Sequence, residues 1–241
     1  ENTVIITMMH VNNELGAVLP VGEVFAAVKR RFPDIITHSD CVQSYMKLPV
    51  RPPRMAADAV SLSGHKIHGM KGCGVLYLRK GVRVNPIVTG GRQEKGIRSG
   101  TEAVPAIAAM GAAISALAPT VGKRYEYVSG LRDTLVGLVN GIDGVTVNSP
   151  ADGSPYVVSI SVVGRRSEIM LHYLEQREIY VSSGSACSKG QQSGVPAQFG
   201  ITGARADGML RVSLCAENTE DELQQFAAAL RDGIAQVRGS K

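Results

Sequence analysis

The run Ser63-Gly64-His65-Lys66 follows directly on the apolar stretch Ala59-Val60-Ser61-Leu62. A lysine at a strand end, among small and polar residues, is suited to forming a Schiff base with an aldehyde. Its amine must be deprotonated to attack, which takes partial burial or nearby positive charge. The adjacent hydroxyl and imidazole can hold a phosphate or a ring substituent. On spacing alone an ordinary surface-loop lysine fits equally well. Asp40 closes the preceding apolar stretch, and a carboxylate there can pair with a protonated ring nitrogen. It can equally cap a turn. Gln43, three residues on, can reach a ring hydroxyl.

Two further segments carry chemistry. Gly90-Gly91-Arg92-Gln93-Glu94-Lys95-Gly96-Ile97-Arg98-Ser99-Gly100-Thr101 can bring backbone N–H groups and the Thr101 hydroxyl to a phosphate, with a helix starting near Thr101 adding its positive end. A flexible linker is the bland alternative. Val181-Ser182-Ser183-Gly184-Ser185-Ala186-Cys187-Ser188-Lys189-Gly190 puts a cysteine among small residues on an exposed loop, where Lys189 can favour the thiolate. Arg211, between Leu210 and Val212, is a cation among apolar residues and needs a carboxylate partner, a substrate carboxylate being one candidate. Cys41, Cys73 and Cys215 read as small packing residues.

The elements that position these groups follow from apolar periodicity. Residues 4–10, 34–38, 59–62 and 74–79 read as strands, and 21–32 as an amphipathic helix with Val21, Val24, Phe25 and Val28 on one face. Strands separated by helical stretches indicate an α/β fold with a mostly parallel sheet, which takes ligands at the carboxyl ends of its strands. Asn12-Asn13-Glu14, Asp40, Gln43 and Ser63 to Lys66 fall at those ends. Residues 101–140 read as a long helical region interrupted near Pro119 and Gly122. Beyond it, strands at 145–147, 156–162, 179–181 and 210–214, a helix over 167–177 and a last helix opened by a Thr219/Glu222 capping box suggest a smaller α+β domain. The expected division is 1–125 for the large domain and 126–241 for the small one.

Composition excludes several classes. The 241 residues carry 26 Lys+Arg against 21 Asp+Glu, a net charge of +5 with the basic residues scattered, so no nucleic-acid stripe is indicated. Tryptophan is absent and aromatics make up 5%, too few for a base-stacking platform. No unbroken run of 18 apolar residues occurs, and no membrane span is expected. The four cysteines match neither a zinc-site spacing nor a disulfide framework, so no resident metal and a reducing, cytoplasmic setting are expected. The chain opens on an apolar strand without an initiator methionine, and it is expected to be a piece of a longer one.

The chain resembles the cysteine desulfurases of the NifS/IscS-like group, pyridoxal 5'-phosphate (PLP) enzymes of fold type I within the class-V aminotransferases. The segments that carry the resemblance are HVNNELG (10–16), HSDCVQ (38–43), SLSGHKIHGMKGCGVLYLR (61–79), GGRQEKGIRSGTEAVPAIAAMG (90–111), SSGSACSKG (182–190) and LRVSLCAENTEDEL (210–223). They run nearly the whole length of the chain in the family's order. Met70 stands where the family usually has proline, which loosens a turn without altering the chemistry.

The resemblance implies conversion of L-cysteine to L-alanine, with the sulfur kept on Cys187 as a persulfide. Lys66 would hold PLP and serve as acid and base. Asp40 would face the ring nitrogen, and Asn13 and Gln43 the ring hydroxyl. Ser63, Gly64 and His65 would hold the phosphate, joined by Thr101 from the neighbouring subunit of a homodimer. Arg211, with Asn13, would bind the substrate carboxylate. The sulfur acceptor would be an iron–sulfur scaffold or a tRNA-thiolation protein, and Cys187 could transiently ligate a cluster. No membrane or direct nucleic-acid partner is implied. The N-terminal region of these enzymes, with its ring-stacking histidine, has no counterpart here. A selenocysteine lyase, another class-V relative, or an inactive fragment or scaffold of the fold are the alternatives.

Overall fold

The computed structural model describes residues 2–183 and 194–237. They form two compact units, one of Glu1–His10 with Leu19–Val121 and one of Val11–Val18 with Gly122–Lys241.

The first unit is built on a four-stranded sheet in the order β1 (Ile5–Met9), β2 (Ile36–Asp40), β3 (Ala59–Ser63), β4 (Gly74–Leu78). The first three strands run parallel and β4 returns antiparallel. Period-2 alternation sets the faces. Ile6, Met8, Val60 and Leu62 turn toward helix α1 (Val21–Arg31), whose Val21 and Phe25 fill the core with Cys41, Met55 and Ala57. Glu23 in the first turn of α1 and Lys29, Arg30 and Arg31 in the last complement the helix dipole. The register pairs Thr7 with His38 and His38 with Ala59, so Thr7, His38, Asp40, Ser61 and Ser63 share the opposite face. A buried carboxylate locks the unit. Asp58, just before β3, accepts from the Thr37 amide at 3.0 Å and from Arg79 Nε at 2.6 Å, and it pairs with Lys29 Nζ of α1.

Helix α2 (Val104–Leu117) ends this unit and is joined through a 3₁₀ turn at Ala118–Thr120 to α3 (Val121–Asn140) of the second. Taken together, Val104–Asn140 is long and apolar enough by length and composition to cross a membrane, and 11% of its apolar portion is buried. The apolar character belongs to α2, which has no charged residue, whereas α3 carries Lys123, Arg124, Glu126, Arg132 and Asp133.

In the second unit α3 buries Val128, Leu131, Leu135 and Val139, spaced three and four apart along one stripe. A three-stranded antiparallel sheet follows, in the order β5 (Val145–Val147), β6 (Val157–Val162), β7 (Met209–Ser213). Every residue of β6 is buried. On one of its faces Ser159 and Ser161 both accept from Asn148 Nδ2, at 3.2 and 2.8 Å. Asn148 Oδ1 in turn accepts from Arg205 Nε at 2.9 Å, which satisfies these polar groups inside the protein. Arg205 lies on α6 (Gly203–Asp207), which follows the short α5 (Val195–Gln198). Helix α4 (Ser167–Glu175) packs on α7 (Glu220–Gln236), where a Cβ at Gly233 would meet Met170 and Tyr173 side chains within 3.0 Å. The expected capping box opens α7. The Glu222 amide donates to Thr219 Oγ1 at 3.3 Å and the Thr219 amide to Glu222 Oε2 at 2.9 Å.

One expected element is absent. Residues 179–181 form no strand; a single antiparallel bridge falls at Ser182, paired with Arg211. Ile179-Tyr180-Val181 has strand propensity, but the pairing with β7 begins only at the next residue, and Tyr180 is 76% exposed.

Candidate functional site

In the first unit the carboxyl ends of the parallel strands gather most of the expected cofactor residues. Asp40 is the last residue of β2 and is exposed. Its Oδ1 accepts from the Val42 amide at 2.9 Å, so it shapes the turn that carries Gln43 while keeping a carboxylate at the sheet end. Asp40 pairs in register with Ser61, which puts Ser63 two residues further along the neighbouring strand. Gly64–Lys66 then form a 3₁₀ turn. Ser63 Oγ and His65 Nδ1 lie 2.7 Å apart. Gly64 is buried, and a Cβ there would meet Cys73 O at 3.3 Å and Met110 Sδ at 3.4 Å, so glycine lets the turn sit close beneath its neighbours. Lys66 is half-buried at the end of this turn.

Thr101 is exposed on the separate loop that leads into α2, which starts at Val104 rather than at Thr101 itself. The loop is internally tied: Ser99 Oγ donates to Gly91 O at 2.7 Å and the Gly100 amide to Gln93 Oε1 at 3.2 Å.

The sequence assigned no role to His38. Its Nδ1 lies 2.6 Å from Thr7 Oγ1 and its Nε2 2.6 Å from Ser61 Oγ, a hydroxyl–imidazole–hydroxyl row across β1, β2 and β3 on the face that carries Asp40. The available signal was its spacing of two residues from Asp40 on one strand.

In the second unit, Asn13 and Arg211 come together. The Asn12 side chain accepts from the Glu14 and Leu15 amides at 2.9 and 2.8 Å, closing a tight turn around Asn13. Gly16 completes the turn at φ +73°, where a Cβ would meet Val157 O at 2.5 Å. Arg211, in the middle of β7, donates from one guanidinium nitrogen to Asn13 O at 3.1 Å and from another to Ser182 Oγ at 3.2 Å. Cys187 lies outside the described residues. Of the other cysteines, Cys41 is fully buried in the first unit's core. Burial pushes the Cys41 and Cys215 thiols up, away from the thiolate a nucleophile needs.

The donor set at the sheet end fits PLP group by group: an amine for an aldehyde, a carboxylate for a protonated ring nitrogen, an amide for a phenolic oxygen, and a hydroxyl–imidazole pair beside a tight glycine turn for a phosphate.

Similar solved structures define its class. A NifS-like protein matches 97% of this chain and 61% of its own with a TM-score of 0.89 at 32% identity. A protein described as SspA in complex with cysteine matches 89% of this chain and 60% of its own with a TM-score of 0.72 at 29% identity. The fold is that of the fold type I PLP proteins. The Aminotransferase class-V profile matches residues 1–226, and the chain belongs to that family. Among curated proteins, a cysteine desulfurase of Enterobacter agglomerans is 38% identical over 99% of this chain, and one of Nostoc sp. is 35% identical over 98%. The chain spans 60% of the length of each.

Proposed function

We propose that the protein is a PLP-dependent cysteine desulfurase, converting L-cysteine to L-alanine and retaining the sulfur on Cys187. The observation that supports this reading is that Asp40 ends β2 and the Ser63–Lys66 turn follows the end of β3, at the carboxyl ends of two strands paired in parallel. The likeness to named cysteine desulfurases supports the choice of substrate.

When bound, PLP supplies an electron sink that makes the substrate Cα proton acidic. Lys66 would hold the cofactor aldehyde, and its amine would take the proton from Cα and return it to Cα once the C–S bond has broken. Asp40 would pair with the ring nitrogen and keep it protonated. Gln43 and Asn13 would serve the ring hydroxyl, and Ser63, the Gly64 backbone and His65 would hold the phosphate, with Thr101 contributed across a homodimer. Arg211 grips the substrate carboxylate with Asn13. The Cys187 thiolate forms a bond to the substrate sulfur as the C–S bond breaks. The electron pair passes to Cβ, which takes up a proton and leaves as the methyl group of alanine. The sum is L-cysteine plus a thiol giving L-alanine plus a persulfide. The persulfide sulfur then passes to an acceptor protein serving iron–sulfur or thio-cofactor synthesis in the cytoplasm.

The test is a pair of variants of the purified protein. Lys66→Ala loses the absorbance of bound PLP. Cys187→Ser keeps that absorbance but forms no alanine from L-cysteine. Alanine formation at the parent rate by Cys187→Ser would refute the assignment.

A further inference from the structure

Ser182 stands just before the segment that carries Cys187, and no chemistry so far requires it. The structure ties it to Arg211 three times. The Ser182 amide donates to Arg211 O at 3.1 Å and the Arg211 amide to Ser182 O at 2.7 Å, which makes the two residues a directly opposed antiparallel pair. Side chains of such a pair lie on the same face and close together. The third tie is the donation from the Arg211 guanidinium to Ser182 Oγ at 3.2 Å.

On its other flank Arg211 is paired in register with Ser159 of β6. Arg211 therefore lies in a row between two serines, and small neighbours leave room for a guanidinium to lie flat. The two serines are not equivalent. Ser159 is fully buried, and its oxygen accepts from Asn148 Nδ2. Ser182 is half-buried, and its oxygen accepts from the arginine. The second anchor of the guanidinium is Asn13 O at 3.1 Å, a backbone atom fixed by the Asn12 turn.

We propose that Ser182 is a positioning residue for Arg211: its hydroxyl, together with Asn13 O, fixes the plane of the guanidinium so that the fork is already aimed when a substrate carboxylate arrives. The proposal rests on the reading of Arg211 as the carboxylate-binding residue. An arginine side chain has about 2 kcal/mol of rotamer entropy to lose on binding, and a prior anchor removes part of that cost from the binding step. The effect belongs to binding and not to the chemical step, because the carboxylate takes no part in the bond changes.

The test is steady-state kinetics with L-cysteine, paired with calorimetric titration of the product L-alanine, whose carboxylate uses the same fork. Loss of one half-buried hydrogen bond of ordinary net strength predicts that Ser182→Ala raises KM for L-cysteine about 5- to 10-fold and weakens L-alanine binding in parallel. The kcat stays within about twofold, since the lost interaction is common to ground and transition states. Ser182→Thr, which keeps the hydroxyl, restores both values. In an Arg211→Ala background Ser182→Ala adds nothing further. The proposal is overturned if Ser182→Ala leaves KM and L-alanine affinity unchanged while Arg211→Ala raises KM. It is also overturned if kcat falls with KM and Ser182→Thr does not rescue, the pattern of a purely structural role. If Arg211→Ala itself leaves KM unchanged, the carboxylate reading of Arg211 fails and this proposal falls with it.

Discussion

Replacing Asp58 by asparagine removes the carboxylate that holds α1, β2 and the end of β4 together. Its side chain is 2% exposed, and it is engaged by Lys29, Arg79 and the Thr37 amide. Breaking a fully buried ion pair by deleting one partner costs about 3 to 5 kcal/mol, because a charge is left uncompensated. Two features here lower that figure. The Arg79 side chain is 55% exposed and can turn to water. Lys29 Nζ also donates to Ile35 O at 2.7 Å and Pro33 O at 3.2 Å, so it keeps two acceptors. Asparagine still accepts from Thr37. The expected loss is therefore about 2 to 3 kcal/mol, between an exposed pair and a fully buried one. Hydrogen exchange of the β2 and β3 amides reads this loss in the unit concerned, whatever the second unit does.

The pH dependence adds an independent check. Burial alone would raise the Asp58 carboxyl, but hydrogen bonds from Lys29, Arg79 and the Thr37 amide outweigh it and hold the carboxyl below the usual carboxylate range. The folded state thus binds the proton less readily than the unfolded state. The stabilisation is complete above the unfolded value of about 4 and is lost as pH falls through the folded-state value. The parent protein therefore loses more β2 and β3 protection between neutral pH and acid than Asp58→Asn does. A loss under about 0.5 kcal/mol, or an equal cost from Arg79→Ala, sinks this reasoning, since the exposed cation would then matter as much as the buried carboxylate.

Two further predictions concern the second unit. Gly208→Ala drives a Cβ into Val162 O and to 2.8 Å from its carbonyl carbon, so β6 must shift; denaturation should show a loss of about 2 kcal/mol or more, and a neutral result would mean that the backbone there yields freely. Thr219→Ala removes the capping box of α7 and should cost about 1 kcal/mol by the same measurement, with Thr219→Ser nearly silent.

The elements of this protein were largely legible in its residues, because each depends on local spacing. The helical pattern over 101–140 covers α2 and α3, the short apolar run at 4–10 covers β1, and Thr219 with Glu222 marks the start of α7. The chemistry proposed here rests on residue types, since an amine, a carboxylate and a thiol each limit what they can do. Partnership between distant residues was not. Asp40 stands opposite Ser61, with Ser63 two residues further along, because β2 and β3 pair in parallel at one register, and a one-residue slip would turn every side chain to the other face. Residues 179–181 have the composition of a strand, yet the bridge forms at Ser182, where a hydrogen-bonding partner in β7 is available. Residues 11–18 pack with a unit whose remainder begins more than a hundred residues later, drawn there by the Arg211–Asn13 and Ser149–Leu15 hydrogen bonds. Local pattern sets a residue's conformation and its face. Only the packed chain decides which two faces meet, because that choice is made by hydrogen bonds and burial between segments that carry no record of each other in their own spacing.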